Sequence, residues 1–121
     1  MAKILLIDDD ELVRYSLAKA LTQGGHSVID TGNGRTGLKL LQKEEVDVII
    51  TDIVMPDMDG FEIILETIQI APGLPIIAIS GGGRIGAEDY LSSAALFDIH
   101  ATFIKPVDER ELIACVDRLV G

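Results

Sequence analysis

Ile4-Leu5-Leu6-Ile7-Asp8-Asp9-Asp10 and Val46-Asp47-Val48-Ile49-Ile50-Thr51-Asp52 share one design, a short apolar run that stops abruptly on aspartate. Such runs, rich in β-branched residues and leucine, are what strands buried on both faces of a parallel sheet require. Three more follow along the chain: Ser27-Val28-Ile29, Pro75-Ile76-Ile77-Ala78-Ile79 and Thr102-Phe103-Ile104. Helical periodicity fills the gaps. Leu12, Val13, Ser16, Leu17, Ala20 and Leu21 form one face of a first helix, and Leu38 and Leu41 belong to a second. Phe61, Ile63, Ile64 and Ile68 belong to a third, residues 85–97 supply a fourth, and Leu112, Ile113, Val116, Leu119 and Val120 line the last. Asp59 before Glu62 and Asp108 before Glu111 have capping-box spacing, and Gly24-Gly25 and Pro72-Gly73 stop the helices before them.

The alternation is (βα) five times, which predicts an α/β fold: a doubly wound, five-stranded parallel sheet with right-handed crossovers and helices on both sides. The first and third runs are the most apolar and belong in the centre. The second, with Asp30 and Thr31, suits an edge. The order 2-1-3-4-5 follows, and such sheets bind ligands beyond the carboxyl ends of their strands, where the order reverses.

The bulk numbers narrow the function. A chain of 121 residues fits one domain, and 48% hydrophobic content is enough for a core without disulfides. Cys115 is the sole cysteine and sits in an apolar helical pattern, so it reads as an inert core thiol. The formal net charge of −10 argues against non-specific nucleic-acid binding and against an anionic membrane face. No apolar run has transmembrane length, and Met1-Ala2-Lys3 leads straight into a strand without a signal peptide, so the expected compartment is the cytoplasm. The chain begins and ends on secondary structure, which predicts that residues 1–121 are one domain and that any output module is separate.

The strand ends carry the chemistry. The first strand ends in Asp8-Asp9-Asp10, the third in Thr51-Asp52, the fourth in Ser80-Gly81 and the fifth in Lys105-Pro106. With the first and third strands adjacent, Asp8, Asp9 and Asp52 converge. Each like-charge pair at ~4 Å costs about 4 kcal/mol at an effective dielectric of ~20, so protons or a cation must compensate. An all-oxygen cluster suits a hard cation such as Mg²⁺. Each residue has a plain structural alternative: Asp10 as a helix cap, Asp52 as a turn residue before Met55-Pro56, Ser80 bonding its own backbone, Lys105 as a solvated lysine. Their joint placement at four ends of one sheet edge is what argues for a site.

The ordered set Asp8-Asp9, Asp52, Met55-Pro56, Asp59-Gly60, Ser80-Gly81 and Lys105-Pro106 resembles the receiver domains of two-component response regulators, over essentially the whole chain. The resemblance implies a flavodoxin-like, CheY-like fold. It implies that Asp52 accepts a phosphoryl group from a histidine kinase or histidine phosphotransfer protein. It implies Mg²⁺, or Mn²⁺, held by Asp9, Asp52 and the Val54 carbonyl, with Asp8 acting through water. Lys105 and Ser80 would contact the phosphoryl oxygens, Pro56 and Gly60 would shape the loop after Asp52, and a cis bond is expected before Pro106. The output surface would be the helix at residues 85–97, the fifth strand and the last helix, acting on an unknown downstream protein. Such a chain is not an enzyme beyond its own phosphoryl transfer and dephosphorylation.

Three departures stand out. Receiver domains commonly carry an aromatic residue three positions before the lysine; here that position is Thr102, and Phe103 beside it should face the other side of the sheet. The positions held here by Val54 and Gly82 are, by the resemblance, those that flank the route of an attacking water. Gly81-Gly82-Gly83 is permissive enough to be a hinge or a loose turn. His26 and His100 have no ligand spacing and read as incidental surface or loop residues. Competing readings are an aspartyl-phosphate phosphatase of the haloacid-dehalogenase type using Asp8 and Asp10, a flavodoxin-like cofactor binder, and a receiver that only binds partners. The first lacks the expected Asp-Gly-Thr continuation, and the second would place three aspartates against a phosphate. A stand-alone receiver, or a module of a larger DNA-binding regulator or hybrid kinase, would look the same.

Overall fold

The five apolar runs become five strands of one sheet in a computed structural model that describes residues 1–53, 60–81 and 99–121. They are β1 (Lys3–Ile7), β2 (Ser27–Thr31), β3 (Val48–Asp52), β4 (Ile76–Gly81) and β5 (Ala101–Lys105). All pairs are parallel and the order is β2-β1-β3-β4-β5, as the apolar content of the runs predicts. The helices are α1 (Glu11–Gln23), α2 (Gly34–Lys43), α3 (Gly60–Ile70) and α4 (Glu109–Val120). Val54, Met55, Pro56, the Asp59 cap, the Phe61 side chain, Gly82, Gly83 and the helix expected at residues 85–97 lie outside the described residues.

Period-2 alternation splits each strand between two cores. Leu6, Ile50 and Ile79 pack with Leu17 and Leu21 of α1 and Leu112, Cys115 and Val116 of α4. Leu5, Ile7 and Ile49 pack on the other face with Leu38 and Leu41 of α2 and Ile63 and Ile64 of α3. All five residues of β3 are buried. This double burial is why the runs are continuous, since each fully buried Ile or Leu contributes ~1.5–3 kcal/mol.

Local signals set the helix ends. Asp10 caps α1, its carboxylate accepting from the Leu12 and Val13 N–H groups. Gly25, at φ 96°, takes the left-handed conformation that turns the chain into β2. Asn33 caps α2, and Asp108 caps α4 by accepting from the Glu111 N–H. At Gly37 a Cβ would come 2.4 Å from Ile7 Cδ1, so α2 lies directly on β1.

Three expectations need correction. Leu12, assigned to the inner face of α1, is 81% exposed. It lies in the first turn, at the edge where the strands end, so the inner stripe is Val13, Leu17 and Leu21. Ser16 is also exposed, and its hydroxyl donates to Glu109 at 3.1 Å. His26 is no surface residue: it is buried between β1 and α4. Its Nδ1 accepts from the Ala2 N–H at 3.0 Å and its Nε2 lies 2.8 Å from Asp117 Oδ1. An accepting Nδ1 places the proton on Nε2, which then donates to Asp117. His100 is exposed, yet its Nδ1 accepts from the Ile76 N–H at 3.2 Å. Both imidazoles serve strand starts, at the opposite end of the sheet from the acidic residues.

Replacing His26 by alanine strips a buried N–H of its acceptor and opens space between β1 and α4. We expect His26→Ala to lose about 2–3 kcal/mol of stability in urea unfolding; a loss below about 0.5 kcal/mol would mean that the His26 contacts do not hold Ala2 to α4. The buried Cys115 thiol has a pKa raised by burial, which outweighs the opposing pull of Arg118. A thiol reagent should modify it about 100-fold more slowly in the native protein than in urea, because access requires opening of the core.

Candidate functional site at the carboxyl edge of the sheet

β1 and β3 pair with Ile7 beside Thr51, and the residues that follow are Asp8 and Asp52. Both carboxylates are buried, Asp8 at 0% and Asp52 at 3% exposure, while Asp9 is exposed. Alternation puts Asp8 and Asp52 on the face of Leu6 and Ile50, the side covered by α1 and α4. Lys105, the last residue of β5, follows Phe103 on that same face. Its ammonium donates to Asp52 Oδ2 at 3.0 Å and to Asp8 Oδ1 at 3.3 Å. Asp8 Oδ2 is 3.1 Å from the ammonium, an ion-pair distance, but its geometry makes no hydrogen bond. The expected set Asp8, Asp9, Asp52 and Lys105 is therefore one cluster.

The Asp8–Asp10 turn is closed by its own bonds. The Asp8 N–H donates to the Thr31 carbonyl at 3.1 Å, and the Asp10 N–H donates to Asp8 Oδ1 at 2.9 Å. Arg14, which the sequence reading passed over, donates from Nη1 to the Asp8 carbonyl at 2.8 Å and from Nε to Asp30 Oδ2 at 2.9 Å. A cation one turn into α1 beside an acidic edge strand was the available signal, but a bond to a backbone carbonyl leaves no mark in sequence.

Ser80 occupies β4 in register with Ile104, one residue beyond Ile79, the partner of Asp52. Among the described residues, Ser80 Oγ and Asp8 Oδ2 are the buried side-chain polar atoms without a hydrogen-bond partner. Thr102 is exposed, and Phe103 packs into the α1/α4 core on the opposite face, as strand alternation requires. The Lys105–Pro106 bond is cis. A groove of about 690 Å³ opens beside Lys105, between Leu12, Val13 and Ser16 of α1 and Pro106 and Val107. Leu12, which lines it, stands exposed.

Electrostatics decide what this cluster can do. Burial is the largest single influence on the Lys105 pKa and lowers it. The Asp52 hydrogen bond and charge, followed by those of Asp8, together outweigh burial and hold the pKa above 10.5. The ammonium is thus charged at neutral pH. Because the folded value is raised, its stabilising contribution is complete below the unfolded lysine pKa and is lost only as pH climbs past the folded one. One ammonium against three carboxylates leaves a formal excess of two negative charges. One oxygen from each of Asp8, Asp9 and Asp52 lies within 4.8 Å of the others. An all-oxygen set with an unbonded buried oxygen fits a hard divalent cation such as Mg²⁺ or Mn²⁺.

The fold and site define a doubly wound parallel α/β protein with an acidic pocket at its switch point. The family model of the response regulator receiver domain matches residues 4–117, and the chain belongs to that family. It is 42% identical over 120 residues to the response regulator receiver protein CpdR of Brucella abortus (strain 2308), covering 99% of this chain and 98% of the relative. It is 34% identical over 116 residues to the transcriptional regulatory protein GlrR of Escherichia coli (strain K12), covering 96% of this chain but 26% of that protein. The chain thus spans about a quarter of GlrR and nearly all of CpdR. Among solved structures, a response regulator receiver domain protein from Clostridium thermocellum superposes with a TM-score of 0.88 at 25% identity, covering 99% of this chain and 94% of that one. A CheY-like receiver domain protein from Methanospirillum hungatei JF-1 gives 0.86 at 27% identity, covering 98% and 94%.

The unpartnered Ser80 hydroxyl yields a direct expectation. Removing a buried polar group that lacks a partner costs little, so Ser80→Ala should match or exceed the parent in urea unfolding, by up to about 1 kcal/mol. A loss above about 1 kcal/mol would mean that the hydroxyl is bonded in solution.

Proposed function

We propose that this receiver domain accepts a phosphoryl group on Asp52 from a phosphohistidine of a histidine kinase or histidine phosphotransfer protein, in a reaction dependent on Mg²⁺. The observation that carries the reading is the Lys105 ammonium set 3.0 Å from Asp52 Oδ2 within a cluster of three carboxylates. A lone buried aspartate would need no such neighbours.

The Asp52 carboxylate attacks phosphorus in line. The new O–P bond forms as the P–N bond breaks, and the imidazole nitrogen leaves with the electron pair and takes a proton from solvent. Lys105 shifts its ammonium from the carboxylates to the phosphoryl oxygens, where charge develops. Ser80 supplies its unpartnered hydroxyl as a further donor to the same oxygens. Asp9, Asp52 and the Val54 carbonyl would hold Mg²⁺, with Asp8 behind a water; when bound, the ion neutralises charge on the transferring group. By the family resemblance Pro56 and Gly60 would shape the stretch after Asp52; Gly60 opens α3, and Pro56 lies outside the described residues. The groove beside Lys105, with exposed Leu12 on its wall, offers the histidine-bearing partner a partly apolar approach to the site.

The phosphatase reading needs Asp10 as a second catalytic carboxylate. Asp10 instead caps α1, where its Oδ1 accepts two backbone N–H groups at 3.1 Å. The chain acts as a signalling acceptor in the cytoplasm rather than as an enzyme, switching a surface read by a downstream protein. With Thr102 exposed and no aromatic in its place, the readout passes through Ser80 rather than through an inward-swinging ring. Whether that readout drives a separate partner or an attached module depends on the whole protein.

Incubation with radiolabelled acetyl phosphate and Mg²⁺ should place about one phosphoryl group per chain, labile to hydroxylamine as an acyl phosphate is. Asp52→Asn should abolish the label, and EDTA should reduce it at least tenfold. Label retained in Asp52→Asn but lost in Asp8→Asn would overturn the assignment.

A further inference from the structure

We propose that Arg14 is a positioning residue for the acidic site, holding the Asp8–Asp9 peptide so that the Asp9 carboxylate is preset for the divalent cation; this rests on the receiver reading above. The carbonyl that accepts from Nη1 at 2.8 Å belongs to the peptide unit whose nitrogen is that of Asp9. Fixing its plane fixes the ψ of Asp8 and the φ of Asp9, and so the direction in which the Asp9 side chain leaves the turn.

Three features show that the contact is built. The guanidinium is anchored at its other side by Asp30 Oδ2 at 2.9 Å, which holds the planar fork in one orientation. The Arg14 backbone N–H donates to the Asp10 carbonyl at 2.9 Å, so the residue is tied to the turn it braces. Gly32 clears the space: a Cβ there would lie 2.4 Å from Arg14 Nη1 and 3.4 Å from Cζ. Unlike Gly25 and Gly73, Gly32 has no positive φ to require glycine, so what its missing side chain provides is room for the guanidinium. Asp30, Thr31 and Gly32, at the end of the edge strand, thereby clamp Asp8 on both sides, Thr31 through the Asp8 N–H and the other two through Arg14.

A positioning role and a simple charge effect predict opposite signs. If Arg14 acted only as a nearby positive charge, removing it would tighten Mg²⁺ binding. If it positions the turn, Arg14→Met should weaken Mg²⁺ binding about tenfold, the usual scale for a group that orients a metal ligand. Gly32→Ala should weaken it too without changing any charge, and Arg14→Lys, which cannot make both bonds, should recover affinity only in part. The exposed Lys39→Met serves as the control for net charge.

The test is Mg²⁺ titration of the full chain followed by amide NMR, together with the linewidth and hydrogen exchange of the Asp9 amide in EDTA. The expected result is weakened binding in Arg14→Met and Gly32→Ala, with the Asp9 amide broadened or faster-exchanging in both and unchanged in Lys39→Met. Parent-like or tighter Mg²⁺ binding in both variants overturns the proposal, even where the melting temperature falls. If the parent itself binds no Mg²⁺, the metal reading of the site fails, and the Asp9 amide alone then decides whether Arg14 holds the turn.

Discussion

The parallel register of β1 against β3 is the constraint from which everything else at this site descends. Ile7 beside Thr51 makes Asp8 and Asp52 the next residues of two adjacent strands, on one face of the sheet. A slip of one residue would send one of the two to the opposite face and would also turn the apolar set of that strand from one core to the other. The same burial that stabilises the sheet therefore locks the carboxylates together. The fold does not tolerate the cluster as an accident at its margin; the cluster sits where the best-buried strands of the molecule end.

That placement sets an electrostatic problem whose answer is asymmetric. Two buried carboxylates and a third at the surface face a single ammonium, and the ammonium is strongly committed to Asp52 and Asp8. A second lysine would have halved the excess negative charge and weakened the pull on a cation. A pocket without Lys105 would leave like charges a few ångströms apart, each such pair costing about 4 kcal/mol before screening. The arrangement lies between these limits, stable enough to fold and still short of positive charge.

The sheet order, the two cores and the acidic cluster were legible in sequence because each rests on periodicity. A strand buried on both faces must be continuously apolar, and a site at its end must be the first polar residue after it. Other features left no such trace. Leu12 fits the helical stripe by spacing, but its turn projects past the end of the sheet, a matter of length rather than period. A lone His26 has no spacing to read, and only the approach of Ala2 and Asp117 gives its two nitrogens work. Arg14 reaches Asp8 through a backbone carbonyl, which carries no side-chain identity, and Gly32, distant in sequence, contributes only the room its missing side chain leaves.

Ser80 and Asp8 Oδ2 bear on how the proposed phosphorylation would be felt elsewhere. Both are buried atoms without a hydrogen bond; such a group costs ~1–3 kcal/mol when nothing faces it, as for Ser80, whereas Asp8 Oδ2 lies 3.1 Å from the Lys105 ammonium. On the proposed reading, a phosphoryl group of charge about −2 would bring oxygens for Ser80 to donate to, and a cation would relieve the Asp8 oxygen. The free energy recovered by one such bond corresponds to roughly a 5- to 150-fold shift between two conformations. That is enough to operate a switch without a large aromatic side chain, and Thr102 then needs only to leave space rather than to swing into it. On this view a new Ser80 bond would tie the phosphoryl group to β4, the element through which the change would leave the site.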